Sequence, residues 1–182
     1  VCLCIHLLNF CYNSSMKNYT AQSFWVCKKK GSIKQEAINK SLEKDELLVK
    51  AHYSGISYGT EKIVFDSQVP ANQYKFMRAP HQVGEFNKEV KYGYLSVGKV
   101  IEGPREMLNK MVYTMFPHQS MYILKSLHAT LIPSHIPHKR ALLTANMETA
   151  INAMWDSKPT IGDNTYVLGA GIVGILMAYV LS

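Results

Sequence analysis

The chain has 182 residues, 47% hydrophobic and 18% charged, with a formal net charge of +7 at pH 7. That composition supports a packed core and excludes a disordered chain, and the length holds one full domain and part of another. Lys and Arg are scattered, and the single run, Lys28-Lys29-Lys30 beside Gly31, reads as an exposed turn. This argues against a nucleic-acid-binding face and leaves an anionic ligand, such as a phosphate-bearing cofactor, to account for the charge.

The four cysteines are Cys2, Cys4, Cys11 and Cys27. None follows Cys27, so the main body has no disulfide framework and no cysteine metal site, as in a reducing, cytoplasmic setting. Residues 1–15, VCLCIHLLNFCYNSS, have no initial Met, no basic start and no clear cleavage site. They are too short to span a bilayer and read as a non-native leader ahead of a start at Met16, with a short signal-like apolar segment as the alternative.

From Thr20 to about Lys139 the pattern is that of strands. SFWVCKKKGSIKQEAI (23–38) places two short runs around Lys-Lys-Gly and predicts a hairpin. In DELLVKAHYSGIS (45–57) Leu47, Val49, Ala51 and Tyr53 share one face, and Leu48, Lys50 and His52 the other. That alternation predicts a strand, bending near Gly55 and Gly59. VPANQYKFMRAPHQVGEFNKE (69–89) is polar and irregular and predicts a long surface loop. VKYGYLSVGKVIEG (90–103) returns to strand, with Gly93 and Gly98 where backbones approach closely. KMVYTMFP (110–117) and MYILKSLHATLIP (121–133) are two further strands. Short strands with frequent glycines predict a small, irregular β-barrel.

The period then changes. In PHKRALLTANMETAINAMWDSKP (137–159) Leu142, Met147, Ala150, Ile151 and Met154 recur at near-helical spacing, and Pro159 ends the helix. A domain boundary therefore falls near 137–140. Next, TYVL (165–168) leads as a strand into Gly169, Gly171 and Gly174, and ILMAYVL (175–181) continues as a helix. Gly169 permits the tight turn, Gly171 lets the backbone approach a pyrophosphate, and Gly174 lets helix and strand pack closely. The helix N-terminus offers free N–H groups to phosphate. Gly169, Gly171, Ile172, Val173 and Gly174 are thus candidate dinucleotide contacts. The acidic residue expected about twenty positions further on, which contacts the ribose, lies beyond Ser182, so NAD and NADP are not distinguished.

A barrel, a helix and this glycine turn together resemble the medium-chain dehydrogenase/reductase family, the zinc-type alcohol dehydrogenase relatives. The resemblance runs from Thr20 to the end. It is carried by YSGISYGTE (53–61), KYGYLSVGKVIEG (91–103), MYILKSLHATLIP (121–133), ANMETAINAMWD (145–156) and VLGAGIVG (167–174). It is closest in look to a subgroup similar to bacteriochlorophyllide hydroxyethyl dehydrogenases and threonine-dehydrogenase-like proteins. The resemblance implies an α+β fold leading into α/β. A GroES-like barrel substrate domain would span 16–138. The linking helix and first strand-turn-helix of a Rossmann NAD(P)-binding domain would span 139–182 and be incomplete. The active site would lie in the cleft between them.

The zinc-binding members read Gly-x-Cys where this chain reads Gly55-Ile56-Ser57, and Gly-His-Glu where it reads Gly93-Tyr94-Leu95. Serine and tyrosine are poor zinc ligands and leucine is none. The four-cysteine structural-zinc lobe has no counterpart, and Glu148, near a third-ligand position, has no partners, so no metal site is expected. Hydrogen-bond donors must then hold the substrate oxygen that zinc would polarise. Tyr94 is the first candidate catalytic residue, with Ser57, Thr60 and His118 behind it. The plainer alternatives are a tyrosine packed in the barrel, turn hydroxyls bonding their own backbone, and a loop histidine. Arg78 and Lys91 either meet an acidic substrate or are solvated loop charges. His135 and His138 read as surface residues.

Two readings follow. One is an NAD(P)-dependent, zinc-independent oxidoreductase moving hydride to or from an alcohol, carbonyl or alkene, with a small-molecule substrate and a homodimeric full-length form. The other is a non-catalytic barrel module that binds a ligand or partner. One Rossmann strand and helix have no sheet to join. The sequence is therefore expected to be a fragment, inactive alone, of a protein with roughly 120–170 further residues.

Overall fold

The structure is a computed structural model that describes residues 18–39 and 41–182. The leader expected over 1–15 lies outside the described residues.

β1 (Tyr19–Cys27) and β2 (Lys30–Ile38) form the expected hairpin, paired without a slip from Tyr19↔Ile38 to Cys27↔Lys30. Its two-residue turn holds Lys28 and Lys29 at φ 46° and 65°, the two left-handed residues that a primed turn requires. β3 (Glu46–Ser54) follows, then α1 (Tyr58–Phe65), a 3-10 turn over Ala71–Gln73 and α2 (Tyr74–Met77). β4 (Val83–Gly84), β5 (Val90–Lys91), β6 (Ser96–Glu102), β7 (Met111–Thr114), β8 (Met121–Lys125) and β9 (Ala129–Leu131) complete the strands.

These make two antiparallel sheets, ordered β2-β1-β5-β4 and β8-β3-β6-β7-β9. They meet along a seam between β1 and the residues before β8. There Phe24 N–H donates to His118 O at 2.9 Å, Ser120 N–H donates to Gln22 O at 2.8 Å, and Ser23 bridges Gln119. His118 is therefore fixed through its own backbone. β3 and β6 approach so closely that a Cβ on Gly98 would lie 2.6 Å from Lys50 O, the close approach expected of that glycine.

One cluster of buried residues gathers Leu47, Val49, Val100, Val112, Phe116, Tyr122 and Leu124. Leu48 is buried too, so the expected alternation in β3 fails at its start. The reason is position: β3 is an interior strand, flanked by β6 and β8 and covered on both faces there. A second cluster joins Val26, Val90 and Tyr92 to Val64, Val69, Ala79 and Phe86. The segment 69–89 is thus no plain surface loop. It contains two short helical turns and a strand, and it covers the open face of the small sheet.

The helical period from Pro137 onward gives α3 (His138–Ala141) and α4 (Thr144–Ser157). α4 ends at Lys158, which takes a left-handed φ of 48° before Pro159. α5 (Ile172–Leu181) packs against α4. Residues 164–168 form no strand, in contrast to the expectation. A parallel strand exists only through its ladder partners, and among the described residues none adjoins this segment. No helix among the described residues is long and apolar enough to cross a membrane.

Candidate active site

His118 sits between two polar groups. Its Nε2 lies 2.6 Å from Glu61 Oε2, and its Nδ1 lies 2.6 Å from Ser54 Oγ. An ionised carboxylate only accepts, so Nε2 carries the proton toward Glu61; in the neutral imidazole Nδ1 then accepts from the Ser54 hydroxyl, whose other acceptor is Leu95 O at 3.4 Å. The other Glu61 oxygen accepts the Ser57 N–H at 2.8 Å. Ser57 caps α1, so a single glutamate fastens the helix start and orients the imidazole. The side chains of His118 and Glu61 are 14% and 12% exposed, while Ser54 is exposed. The chain of hydrogen bonds therefore runs from an enclosed carboxylate to the surface, and it can pass a proton along that line.

The backbone beneath the imidazole is shaped for it. Gly93 has φ +126°, and a Cβ there would come within 2.9 Å of His118 Nε2. The next residue, Tyr94, is half-buried, and its ring packs against two core clusters. Its carbonyl accepts the Tyr113 hydroxyl at 3.1 Å. Burial pushes the Tyr113 phenol up to about 12, and the Ala145 backbone partly opposes it. Tyr92, on the other side of Gly93, donates to Met77 O at 2.8 Å, and burial raises its phenol far above the ordinary tyrosine value. Tyr92 and Tyr113 are therefore anchoring hydroxyls.

Of the sequence candidates, the structure brings together His118 and Ser57, the latter through its N–H. Thr60 lies on α1 one residue before Glu61, and Tyr94 is one residue from the glycine under the imidazole. Glu61 and Ser54 were not singled out. Ser57-x-x-x-Glu61 falls one residue outside the capping-box spacing, and no local pattern marks Ser54.

Lys91 is not a solvated loop charge. It is 5% exposed, with Nζ 2.7 Å from Glu36 Oε2 and 2.6 Å from Gln119 Oε1. Glu36 also accepts from Ser23 at 2.5 Å and from the Trp25 indole at 3.1 Å. Burial alone would raise the Glu36 carboxyl, but Lys91, Ser23 and Trp25 together hold it below its ordinary value. Among the described residues no group of three or more His, Cys, Asp or Glu is placed to hold a metal.

The glycine turn joins an irregular segment, not a strand, to α5. Gly169 has φ +105°. A Cβ on Gly174 would lie 2.1 Å from Gly169 O, so helix and turn touch there, whereas one on Gly171 would meet nothing within 4 Å. α5 opens at Gly171, whose carbonyl accepts from Ile175 N–H at 2.9 Å. The N–H groups of Ile172, Val173 and Gly174 thus face outward from the helix start. Beside this turn a groove of about 960 Å³ runs between α4, α5 and β9. Its lining includes Ile132, Met147, Ile151, Trp155 and Leu176, with Arg140 and Glu148, but not Ser54, Glu61 or His118.

No protein-family model matches the sequence, and no curated protein matches it. Solved structures do match. A short chain alcohol dehydrogenase from Escherichia coli, complexed with NADH, superposes at TM-score 0.68 with 16% identity, over 89% of this chain and 53% of that one. L-idonate 5-dehydrogenase from Escherichia coli gives 0.69 and 14%, over 88% and 54%. The quinone oxidoreductase from Thermus thermophilus, also solved with NADPH, gives 0.61 and 12%, over 87% and 49%. The chain thus has the fold of the corresponding part of such oxidoreductases and spans about half their length.

Proposed function

We propose that the protein is an NAD(P)-dependent oxidoreductase of the medium-chain dehydrogenase/reductase type. In this reading 16–138 is a GroES-like substrate domain and 139–182 begins a Rossmann domain. The observation that carries it is the turn from Gly169 to Gly174, in the fold of proteins solved with NADH and NADPH. The residues fit a dinucleotide: Gly171 leaves open space before the helix start, and Gly174 closes the turn. The cofactor would supply hydride transfer.

The chain's own residues would supply orientation and proton movement. Gly169, Gly171, Ile172, Val173 and Gly174 would hold the pyrophosphate with backbone N–H groups. Tyr94, standing where zinc-binding relatives have a ligand histidine, would hold the substrate oxygen with its phenol. His118, oriented by Glu61, would exchange the proton with solvent through Ser54. Thr60 and Ser57 would line the same mouth. Hydrogen bonds replace zinc in this arrangement.

The test is titration with NADH and NADPH, followed by fluorescence, with zinc quantified on the same sample. The reading expects saturable binding of one nucleotide and no stoichiometric zinc. Stoichiometric zinc would overturn the roles given to Tyr94 and Ser57. A folded protein that binds neither nucleotide would leave the ligand- or partner-binding module in its place.

A further inference from the structure

Ser54 has a second capability that needs no nucleotide. A serine that only caps a strand end bonds its own backbone or a near neighbour. Ser54 makes only a long backbone contact, to Leu95 O at 3.4 Å, and reaches across 64 positions of sequence to a histidine at 2.6 Å. That histidine is held from the far side by a carboxylate at 2.6 Å, and the carboxylate is itself pinned to the Ser57 N–H. The imidazole lies over Gly93, and the Phe24 ring meets its edge with centroids 6.3 Å apart. Hydroxyl, base and orienting acid thus stand in line, with the hydroxyl at the surface.

We propose that Ser54 is a nucleophile, activated by His118 and Glu61, that takes an acyl group from activated esters. This order of groups supports acyl transfer wherever its geometry recurs; here serine meets Nδ1 and the acid Nε2, the reverse of the familiar arrangement. Ser54 Oγ attacks the ester carbonyl while its proton passes to His118 Nδ1. The imidazolium is stabilised by Glu61. The carbon–oxygen bond to the leaving group breaks, and the alcohol departs with the proton from Nδ1. Water, deprotonated by the same nitrogen, then releases the carboxylic acid and restores Ser54. Ester and water give acid and alcohol, with no change of oxidation state.

The substrate class follows from what the site lacks. Two of the neighbouring N–H groups are committed: Gly55 N–H donates to Leu95 O at 2.8 Å and Ser57 N–H to Glu61 at 2.8 Å. Neither is free for a developing oxyanion, and one such donor is worth about 10²–10³ in rate. Only acyl groups with a good leaving group compensate for that. Aryl esters qualify, and exposed Ile56 and Tyr58 nearby in the chain offer apolar surface to an aryl group. A fluorophosphonate reports the same nucleophile, its phosphorus taking Ser54 Oγ as the P–F bond breaks and fluoride leaves.

The test uses the 182-residue protein without nucleotide, so it is independent of the oxidoreductase reading. A fluorophosphonate probe is added, and the labelled peptide is identified by mass spectrometry. p-Nitrophenyl acetate hydrolysis is followed in parallel. The expected label is on Ser54. It disappears in Ser54→Ala and slows by about 10² or more in Glu61→Gln and His118→Ala, and added imidazole restores the latter. Ser54→Ala alters an exposed hydroxyl and retains the fold by circular dichroism. Should His118→Ala unfold, Glu61→Gln keeps size and shape and decides the matter. Labelling that spares Ser54, or that proceeds at the parent rate in folded Glu61→Gln, overturns the proposal.

Discussion

Glu61 holds His118 and the start of α1 at once, one carboxylate oxygen 2.6 Å from the imidazole and the other 2.8 Å from the Ser57 N–H. Replacing it by alanine leaves two enclosed donors without acceptors, at a cost of about 1–3 kcal/mol. Glu61→Gln keeps one acceptor oxygen and is expected to lose less. Urea unfolding of the two variants checks this. Equal stabilities for Glu61→Ala and the parent would mean that the pair is not formed in solution.

Lys91→Met tests the buried network under β1 and β5. Removing one member of a buried pair is strongly destabilising, and the 29% exposure of the Glu36 side chain moderates this to about 1–3 kcal/mol at pH 7. The pH dependence has a definite sign. The folded-state Glu36 carboxyl lies below its ordinary 4.5, so its contribution is present above that value and lost as pH falls through the lowered one. The penalty of Lys91→Met should therefore shrink between pH 7 and a pH below the lowered Glu36 value, in paired unfolding curves. The same penalty at both pH values would contradict the account.

Tyr113 predicts the alkaline limb. Burial raises its phenol to about 12, so its contribution is complete below pH 10 and lost as pH rises toward 12. Melting temperature should fall over that interval, together with phenolate absorbance appearing late in a spectroscopic titration. Tyr113→Phe should flatten part of this decline. An unchanged alkaline limb in Tyr113→Phe would assign the effect elsewhere.

The hairpin and the long helix were legible in the sequence because each is set by local signals, whereas 90–103 and 121–133, each read as one strand, divide into β5 and β6 and into β8 and β9. Lys-Lys-Gly marks the turn, alternation marks the strands, and Pro159 ends α4. What was not legible depended on distant partners. Segment 69–89 is polar on average, yet it buries Val69, Ala79 and Phe86, because the sheet beneath supplies an apolar face. Residues 165–168 read as a strand by composition, but a strand needs neighbours. At the site, His118 was visible as a candidate, whereas Ser54 and Glu61 gain meaning only when 64 and 57 positions of chain fold back on themselves.

A dinucleotide seated on the glycine turn shields its N–H groups, and amide hydrogen exchange with and without NADH or NADPH reads that turn directly. Saturating nucleotide is expected to slow exchange in the peptide covering 169–176, where the N–H groups of Ile172, Val173 and Gly174 open α5. Nucleotide that binds yet leaves 169–176 unchanged would contradict that seating.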